Sequence, residues 1–314
     1  MKWFCLLFLG FLASTAQAAE DRALFSDATL EAKLETLFTP SRDLAEVKLA
    51  VDQMANPAAD VSGAKTELEL LTNALREMAA GAQTGTEKLA ALRRLIYDAG
   101  PWNGNRPFAY DLDDPLGKKP ANRYLHTYLA SRRGNCITMP ILFAILGKHI
   151  GLNLTLAEAP QHLLVKYTDG NGAVWNLEPT SGAGVARDSH YREELPITEK
   201  AVEAGTYMRA LSAEETAAIT ASHLAGQYLH DGRYEEAVIT ASALLRRYPR
   251  SAYLLTLKGA ASGQILRRDI IAKYKRESEM TPEVKAYADR LYAENLAAFA
   301  QAEALGWTER DGLK

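Results

Sequence analysis

The chain has 314 residues, and its 36 Lys and Arg residues against 39 Asp and Glu residues give a formal net charge of −3. This length is sufficient for one large domain or two ordinary ones. The basic residues form no stripe of the kind that nucleic-acid binding requires, so we expect no nucleic-acid partner.

Residues 1–18 have the features of a secretory signal peptide. Lys2 supplies the positive start, residues 3–12 are apolar, and residues 16–18 match the small-residue cleavage pattern. The apolar segment is too short to span a bilayer. We therefore expect an exported chain, in a bacterial periplasm, with no transmembrane helix in its mature form. An uncleaved N-terminal anchor is the alternative.

Residues 19–100 are predicted to form a helical region. Apolar residues recur at helical spacing in three segments, and breaks fall at Pro40, at Asn56-Pro57 and at residues 81–85. The apolar positions are Leu30, Leu34, Leu37 and Phe38; Leu68, Leu71, Leu75 and Met78; and Leu89, Leu92, Leu95 and Ile96.

Residues 100–120 have the composition of a loop that carries large aromatic residues. Trp102, Phe108 and Tyr110 indicate either a binding loop or lid, or a loop held against the core by its aromatic side chains. Three aspartates at positions 111, 113 and 114 lack the glycine and the distal glutamate of a calcium loop. We expect no metal and no cofactor.

A predicted short helix over 122–131 precedes the most informative stretch, in which Cys136 opens an apolar run that ends at Gly151. Cys5 would leave with the leader, so Cys136 would be the single thiol of an exported chain. It is either a small buried apolar residue or a nucleophile, and a helix N-terminus would favour the thiolate. Pro140 allows two arrangements: a helix that begins at Cys136 and kinks, or one that begins at Thr138 with Pro140 in its first turn.

Three strands are predicted next, over Leu152–Ala157, His162–Thr168 and Ala173–Glu178. The turn-forming residues at 169–172 between the last two indicate a β-hairpin. A helix packed on an antiparallel sheet makes the fold class α+β.

The hairpin register decides whether a histidine can meet an acid. A three-residue loop at 169–171 places His162 directly opposite Glu178, about 5 Å away between Cβ atoms. A two-residue loop places them on opposite faces of the sheet, and a further register places His162 opposite Asn176 instead. We expect a loop of odd length, with His162 and Glu178 on one face.

The C-terminal part is predicted to be helical, with one specific stretch. Ala225, Tyr228, residues 232–237 and Pro249 fit the spacing of a 34-residue tetratricopeptide repeat (TPR). A second repeat is degenerate, so we expect the region to dock on the rest of the protein. It serves either as helical support or as a surface that binds a protein partner.

These residues together resemble the transglutaminase-like superfamily, in particular its SirB-type bacterial branch. The motifs that carry the resemblance lie at residues 128–136, 151–152, 160–165 and 175–180, and the resemblance covers roughly residues 95–190, with the TPR-like region that some relatives carry. It implies a transglutaminase-like (papain-like) core in which Cys136 is the nucleophile, His162 the base and acid, and Glu178 the group that orients the histidine. The usual residue at the last position is Asp, and many SirB-type relatives carry Pro in place of Cys136.

The domain prediction is therefore a signal peptide at 1–18, helices at 19–100, a transglutaminase-like core at 101–205 and a TPR-like region at 206–314. The predicted function is acyl transfer on protein or peptide amides, as a protease or a transglutaminase. The Cys136 N–H and a second donor from Asn135, Gln161 or Trp102 would hold the oxyanion. The alternative is an inactive scaffold that binds a peptide or protein through its TPR-like region. A zinc site at Cys136 and His162 has too few ligands at metal spacing.

Overall fold

The computed structural model describes residues 24–309, so the predicted leader and Cys5 lie outside the described residues. The described part begins with four helices, α1 (Ala28–Glu35), α2 (Leu44–Ala55), α3 (Val61–Met78) and α4 (Gly85–Tyr97). An Asp or Thr side chain accepts an N–H bond in the first turn of each, which satisfies donors that a helix start leaves unpaired. The leucines predicted at helical spacing are buried, apart from Leu89, which is partly buried.

The loop after α4 is held against the core by its aromatic side chains. Phe108 is buried and meets Tyr128 edge to face, with the ring centres 5.2 Å apart. Two short strands that the sequence does not predict, β1 (Ala109–Tyr110) and β2 (Arg133–Gly134), pair in parallel. Helix α5 (Leu125–Ser131) lies between them. The loop therefore corresponds to the second alternative given above, a loop held against the core by its aromatic side chains.

Helix α6 spans Thr138–Lys148, so Pro140 lies in its first turn and removes no helical hydrogen bond. The Asn135 side-chain oxygen accepts the N–H groups of Ile137 and Thr138 at 3.0 and 3.1 Å, and thereby caps the helix. The apolar residues of α6 are buried all round, because the helix packs on the sheet on one side and on the N-terminal helices on the other.

The sheet is an antiparallel meander of four strands in sequence order: β3 (Leu154–Ala159), β4 (His162–Thr168), β5 (Val174–Glu178) and β6 (Gly184–Ala186). The first strand begins two residues later than predicted, and β6 is not predicted from the sequence. A two-residue turn joins β3 to β4, and Gln161 adopts a left-handed conformation there, with φ of 54°.

The hairpin of β4 and β5 differs from the predicted register. Thr168 pairs with Val174, so the loop is 169–173 rather than 169–171. The prediction that His162 lies directly opposite Glu178 is therefore wrong, since the pairing is shifted by two residues. Because the shift is even, both side chains still lie on the same face, as the odd loop length requires.

Six further helices follow within residues 24–309, and a segment between two of them pairs with the free edge of the sheet. The N–H groups of Met208 and Leu211 donate to the carbonyls of Glu158 and Leu156, both at 2.9 Å, so this segment covers the outer edge of β3. The helices are α7 (Asp188–Glu194), α8 (Glu199–Glu203), α9 (Ala213–His230), α10 (Tyr234–Arg247), α11 (Ala252–Leu266) and α12 (Pro282–Ala304).

The last four helices pack each on the next, and a π-helical turn at Arg267–Ile271 follows α11. They share one apolar core with the N-terminal helices and the sheet, because α9 packs against α2. Within residues 24–309 no helix is both long and apolar enough to cross a bilayer.

A buried cluster of charges joins α2, α9 and the start of α5. Lys48 and Asp52 are fully buried and form an ion pair, and Lys48 also donates to the Arg123 carbonyl at 2.7 Å. Asp52 accepts the Leu125 N–H at 2.7 Å and lies 3.4 Å from His223 Nε2. Burial opposes ionisation of Asp52, but the charge of Lys48, together with the neighbouring His223 and the Lys48 hydrogen bond, outweighs it and lowers the pKa of this carboxyl.

Replacing Asp52 by alanine leaves Lys48 as an uncompensated buried charge. We expect Asp52→Ala to reduce the free energy of unfolding by about 3–5 kcal/mol, measured by urea denaturation. Asp289→Ala is the matched control, because Asp289 also pairs with a lysine one helical turn away, at 3.5 Å, on an exposed surface. The control should change stability by less than about 1 kcal/mol. Equal effects of the two variants would contradict this role for the buried pair.

Candidate functional site

Cys136 lies between β2 and α6, against the turn that joins β3 to β4. Its thiol donates to the Gln161 carbonyl at 3.3 Å, and its own carbonyl accepts the Leu163 N–H at 3.3 Å. Cys136 is therefore hydrogen bonded to both chain neighbours of His162. Its N–H donates to the Pro115 carbonyl at 3.1 Å, so the donor expected in the oxyanion hole is engaged in this structure.

The thiol is neutral in this arrangement. Cys136 is 1% exposed, and burial, followed by the negative charge of Glu178, raises its pKa to about 12, although the Arg123 charge acts in the opposite direction. The sequence indicated a helix N-terminus that favours the thiolate. Since α6 begins only at Thr138, two residues later, that contribution does not outweigh burial.

His162 and Glu178 are joined side chain to side chain. His162 Nε2 lies 2.8 Å from Glu178 Oε2, and the two side chains are 16% and 9% exposed. The shifted register makes them diagonal neighbours, whose Cα atoms are typically about 7–8 Å apart. The extra methylene of glutamate, compared with aspartate, supplies the reach that the diagonal position requires.

Glu178 is fixed by more than the histidine. Its Oε2 also accepts the Tyr191 hydroxyl at 2.9 Å, and its Oε1 accepts the N–H and the hydroxyl of Thr180 at 3.1 and 2.5 Å. Burial opposes ionisation of the carboxyl, but the hydrogen bond and charge of His162, with the two bonds from Thr180, lower its pKa. Glu178 is thus an ionised, oriented acceptor for the His162 ring.

The other candidate site residues predicted from the sequence lie elsewhere or already form other hydrogen bonds. Asn176 donates to the Ala186 carbonyl and to Asp188 Oδ1, at 3.1 and 2.6 Å, and pairs with Lys166, so it does not orient His162. The Asn135 amide group donates to the Asn122 carbonyl at 2.9 Å while its oxygen caps α6.

The other two candidates for the second donor of the oxyanion hole are Trp102 and Gln161. Trp102 lies on the short turn Pro101–Asn103 with the Arg94 guanidinium 4.4 Å from its ring centre, and its buried Nε1 has no hydrogen-bond partner in the described part of the chain. Gln161 lies at the site itself, because its carbonyl accepts the Cys136 thiol.

A cleft of about 210 Å³ opens beside the site. One side comes from the β3–β4 turn, including Gln161 and His162, and another from the C-terminal part, including Ile219 of α9, Tyr253 of α11 and Trp307 after α12. Cys136 is buried and does not line the cleft, although its chain neighbour Ile137 does. No group of three or more metal-binding side chains is present among residues 24–309.

Sequence reasoning did not identify Thr180, Tyr191 or Pro115 as part of the site. Thr180 carries a signal, because a threonine two residues after an acid is placed to bond back to it. Tyr191 and Pro115 carry none, since both reach the site through contacts between distant segments.

Residues 62–204 match the family model of the transglutaminase-like superfamily. The chain contains a transglutaminase-like domain. This match includes Cys136, His162 and Glu178, and it begins within the N-terminal helices, at the start of α3. No curated protein sequence and no solved structure matches the chain significantly. In the transglutaminase-like domain α6 packs on an antiparallel sheet, and helices precede and follow the sheet in the sequence. This fold agrees with the α+β class expected from the sequence.

The raised pKa of Cys136 predicts slow alkylation in the folded protein. Because thiolate is the reactive form, the rate of iodoacetamide labelling should rise about tenfold per pH unit from pH 7 to pH 10 without a plateau. The same thiol in denatured protein should level off near its ordinary pKa of about 8.5. Labelling is measured by mass spectrometry. A plateau near neutral pH in the folded state would show that the resting thiol is already ionised.

The diagonal register predicts that Glu178→Asp weakens the bond to His162, although aspartate keeps the charge. The shorter side chain leaves a gap beyond hydrogen-bond distance, so the ring proton on Nε2 should lose its downfield NMR shift. Glu199→Asp, on the exposed face of α8, is the matched control. A retained shift in Glu178→Asp would mean that the backbone adjusts and that the methylene is not required.

Proposed function

We propose that the protein is a cysteine acyl-transfer enzyme that acts on protein or peptide amides through Cys136, His162 and Glu178. The observation that carries this proposal is the 2.8 Å bond between His162 and Glu178, with Cys136 hydrogen bonded to both neighbours of the same histidine. A carboxylate, an imidazole and a thiol in this order form a nucleophile, a base and an orienting group.

The proposed reaction starts from a neutral thiol. Since Glu178 engages Nε2, the His162 Nδ1 takes the proton from Cys136 as sulfur attacks the amide carbonyl. The same nitrogen returns that proton to the leaving amine when the carbon–nitrogen bond breaks, which leaves a thioester. Water or a second amine then attacks the thioester, loses its proton to His162, and releases an acid or a new amide as the thiol re-forms.

The oxyanion site requires a local rearrangement. The Pro115 carbonyl accepts both the Cys136 N–H and the Tyr110 hydroxyl, the latter at 3.3 Å. In this proposal, displacement of Pro115 by substrate frees the Cys136 N–H for the oxyanion and uncovers the thiol at the same time. Gln161 and Trp102 are the candidates for the second donor.

Three further parts of the proposal rest on sequence patterns. The features of residues 1–18 support export to a bacterial periplasm. The spacing of Ala225, Tyr228 and Pro249 supports a TPR-like region, which would bind a protein partner. The motif around Cys136 supports the SirB-type branch.

A second function, that of an inactive scaffold, is favoured by the burial of the thiol. A thiol that is 1% exposed is shielded from a substrate, and its pKa, raised to about 12, keeps most of it in the unreactive protonated form. In that case the cleft and the C-terminal helices would bind a peptide or protein without converting it.

One experiment separates the two functions. The intact protein is incubated with a peptide mixture, with and without a biotin-linked primary amine, and mass spectrometry follows cleavage, amine incorporation and a thioester on Cys136. We expect products from the parent protein and none from Cys136→Ala. Glu178→Gln should lower the rate about 10²- to 10⁴-fold, because the His162 ring loses its orienting charge.

Glu199→Gln makes the same substitution on the exposed surface of α8 and should leave the rate unchanged. Products formed equally by Cys136→Ala would exclude the proposed chemistry. Binding of peptides without any product would favour the scaffold.

A further inference from the structure

The cleft holds a buried carboxyl group that the proposed reaction does not use. Glu158, on β3, is 5% exposed and lines the cleft together with His162. Its Oε2 is buried and has no hydrogen-bond partner among the residues that the structure describes. A buried polar atom without a partner is costly, and such atoms call for an explanation in a folded protein.

No cation is hydrogen bonded to this carboxyl among the described residues. Arg209 acts on it through its charge, but the Arg209 guanidinium donates to both oxygens of Glu215, at 2.9 and 2.7 Å. The Tyr248 hydroxyl lies beside Glu158 and lowers its pKa, but no hydrogen bond of good geometry joins it to Oε2. Burial raises the pKa of Glu158 to about 7, so a bound cation would shift it readily to the ionised form.

Glu158 lies next to the position opposite His162 in the pairing of β3 with β4. Ala159 pairs with His162, and Glu158 pairs with Leu163, so the two pairs are adjacent at the end of the hairpin. Neighbouring pairs face opposite sides of the sheet, so the side chains of Glu158 and His162 leave the hairpin on opposite faces. Both residues line one cleft, and we therefore expect a single extended peptide to contact both.

The geometry points to Glu158 as a specificity-determining residue that binds the ammonium group of a basic side chain in the peptide substrate. This inference rests on the proposed function and deepens it, because the basic side chain is part of the acyl-donor peptide. Lys118 and Arg123 also line the cleft and repel an ammonium group elsewhere in it. The favourable position for the cation is thus confined to Glu158.

The test measures binding in the full chain with Cys136→Ala, so that it does not depend on catalysis. Blocked hexapeptides contain one glutamine, and lysine, norleucine or glutamate occupies each flanking position in turn. We expect the lysine peptide to bind about tenfold or more tightly than its norleucine counterpart at one position, as a charge-assisted hydrogen bond requires. Calorimetry or NMR titration supplies the dissociation constants.

Adding Glu158→Gln, which keeps the side-chain volume, should reduce that preference to about twofold or less. Glu158→Met serves the same purpose if the glutamine variant does not fold, and Glu199→Gln controls for the change in net charge. Equal binding of lysine and norleucine peptides, a preference that survives Glu158→Gln, or no binding at all would each overturn the inference. Thioester formation by the parent protein tests the proposed function separately.

Discussion

The two-residue turn between β3 and β4 is the constraint on which the site depends. Gln161 takes a left-handed conformation there, which directs its carbonyl to the Cys136 thiol and places His162 at the first position of β4. Non-glycine residues adopt this conformation at a cost, so it persists where the surroundings hold it. Here the bond between Leu163 and the Cys136 carbonyl fixes the far side of the turn. The position of the thiol relative to the histidine is therefore a property of the backbone.

The α+β class and the location of His162 and Glu178 on one face of the sheet could be predicted from the sequence, because strand periodicity has only two outcomes. The register of the pairing between β4 and β5 could not be predicted. Asp169 accepts the N–H groups of Asn171 and Ala173 and the Trp175 ring nitrogen, and these three bonds close a five-residue loop in place of a three-residue one. Side-chain bonds of this kind compete with standard turns and leave no signal in hydrophobic periodicity.

The burial and protonation of Cys136 could not be predicted from the sequence either. Its burial results from the segment at Pro115, from the β3–β4 turn and from the sheet, which are brought together only by the tertiary fold. The same reason applies to the cleft, since one of its walls comes from residues 219–256, far along the chain from the motif. Local patterns identified the reacting groups, whereas the solvation that sets their protonation depends on contacts between distant segments.

The strand edge covered by Met208 and Leu211 has a consequence for synthesis of the chain. The ribosome completes β3 about fifty residues, and β4 about forty residues, before Met208 is added, counted from Ala159 and Thr168. During that interval the outer edge of an apolar strand is unpaired, and such edges associate with other chains. The nascent protein would thus depend on a chaperone or on rapid elongation until the covering segment is made. Shortened versions that end before residue 208 would keep the edge exposed permanently and would be prone to aggregate.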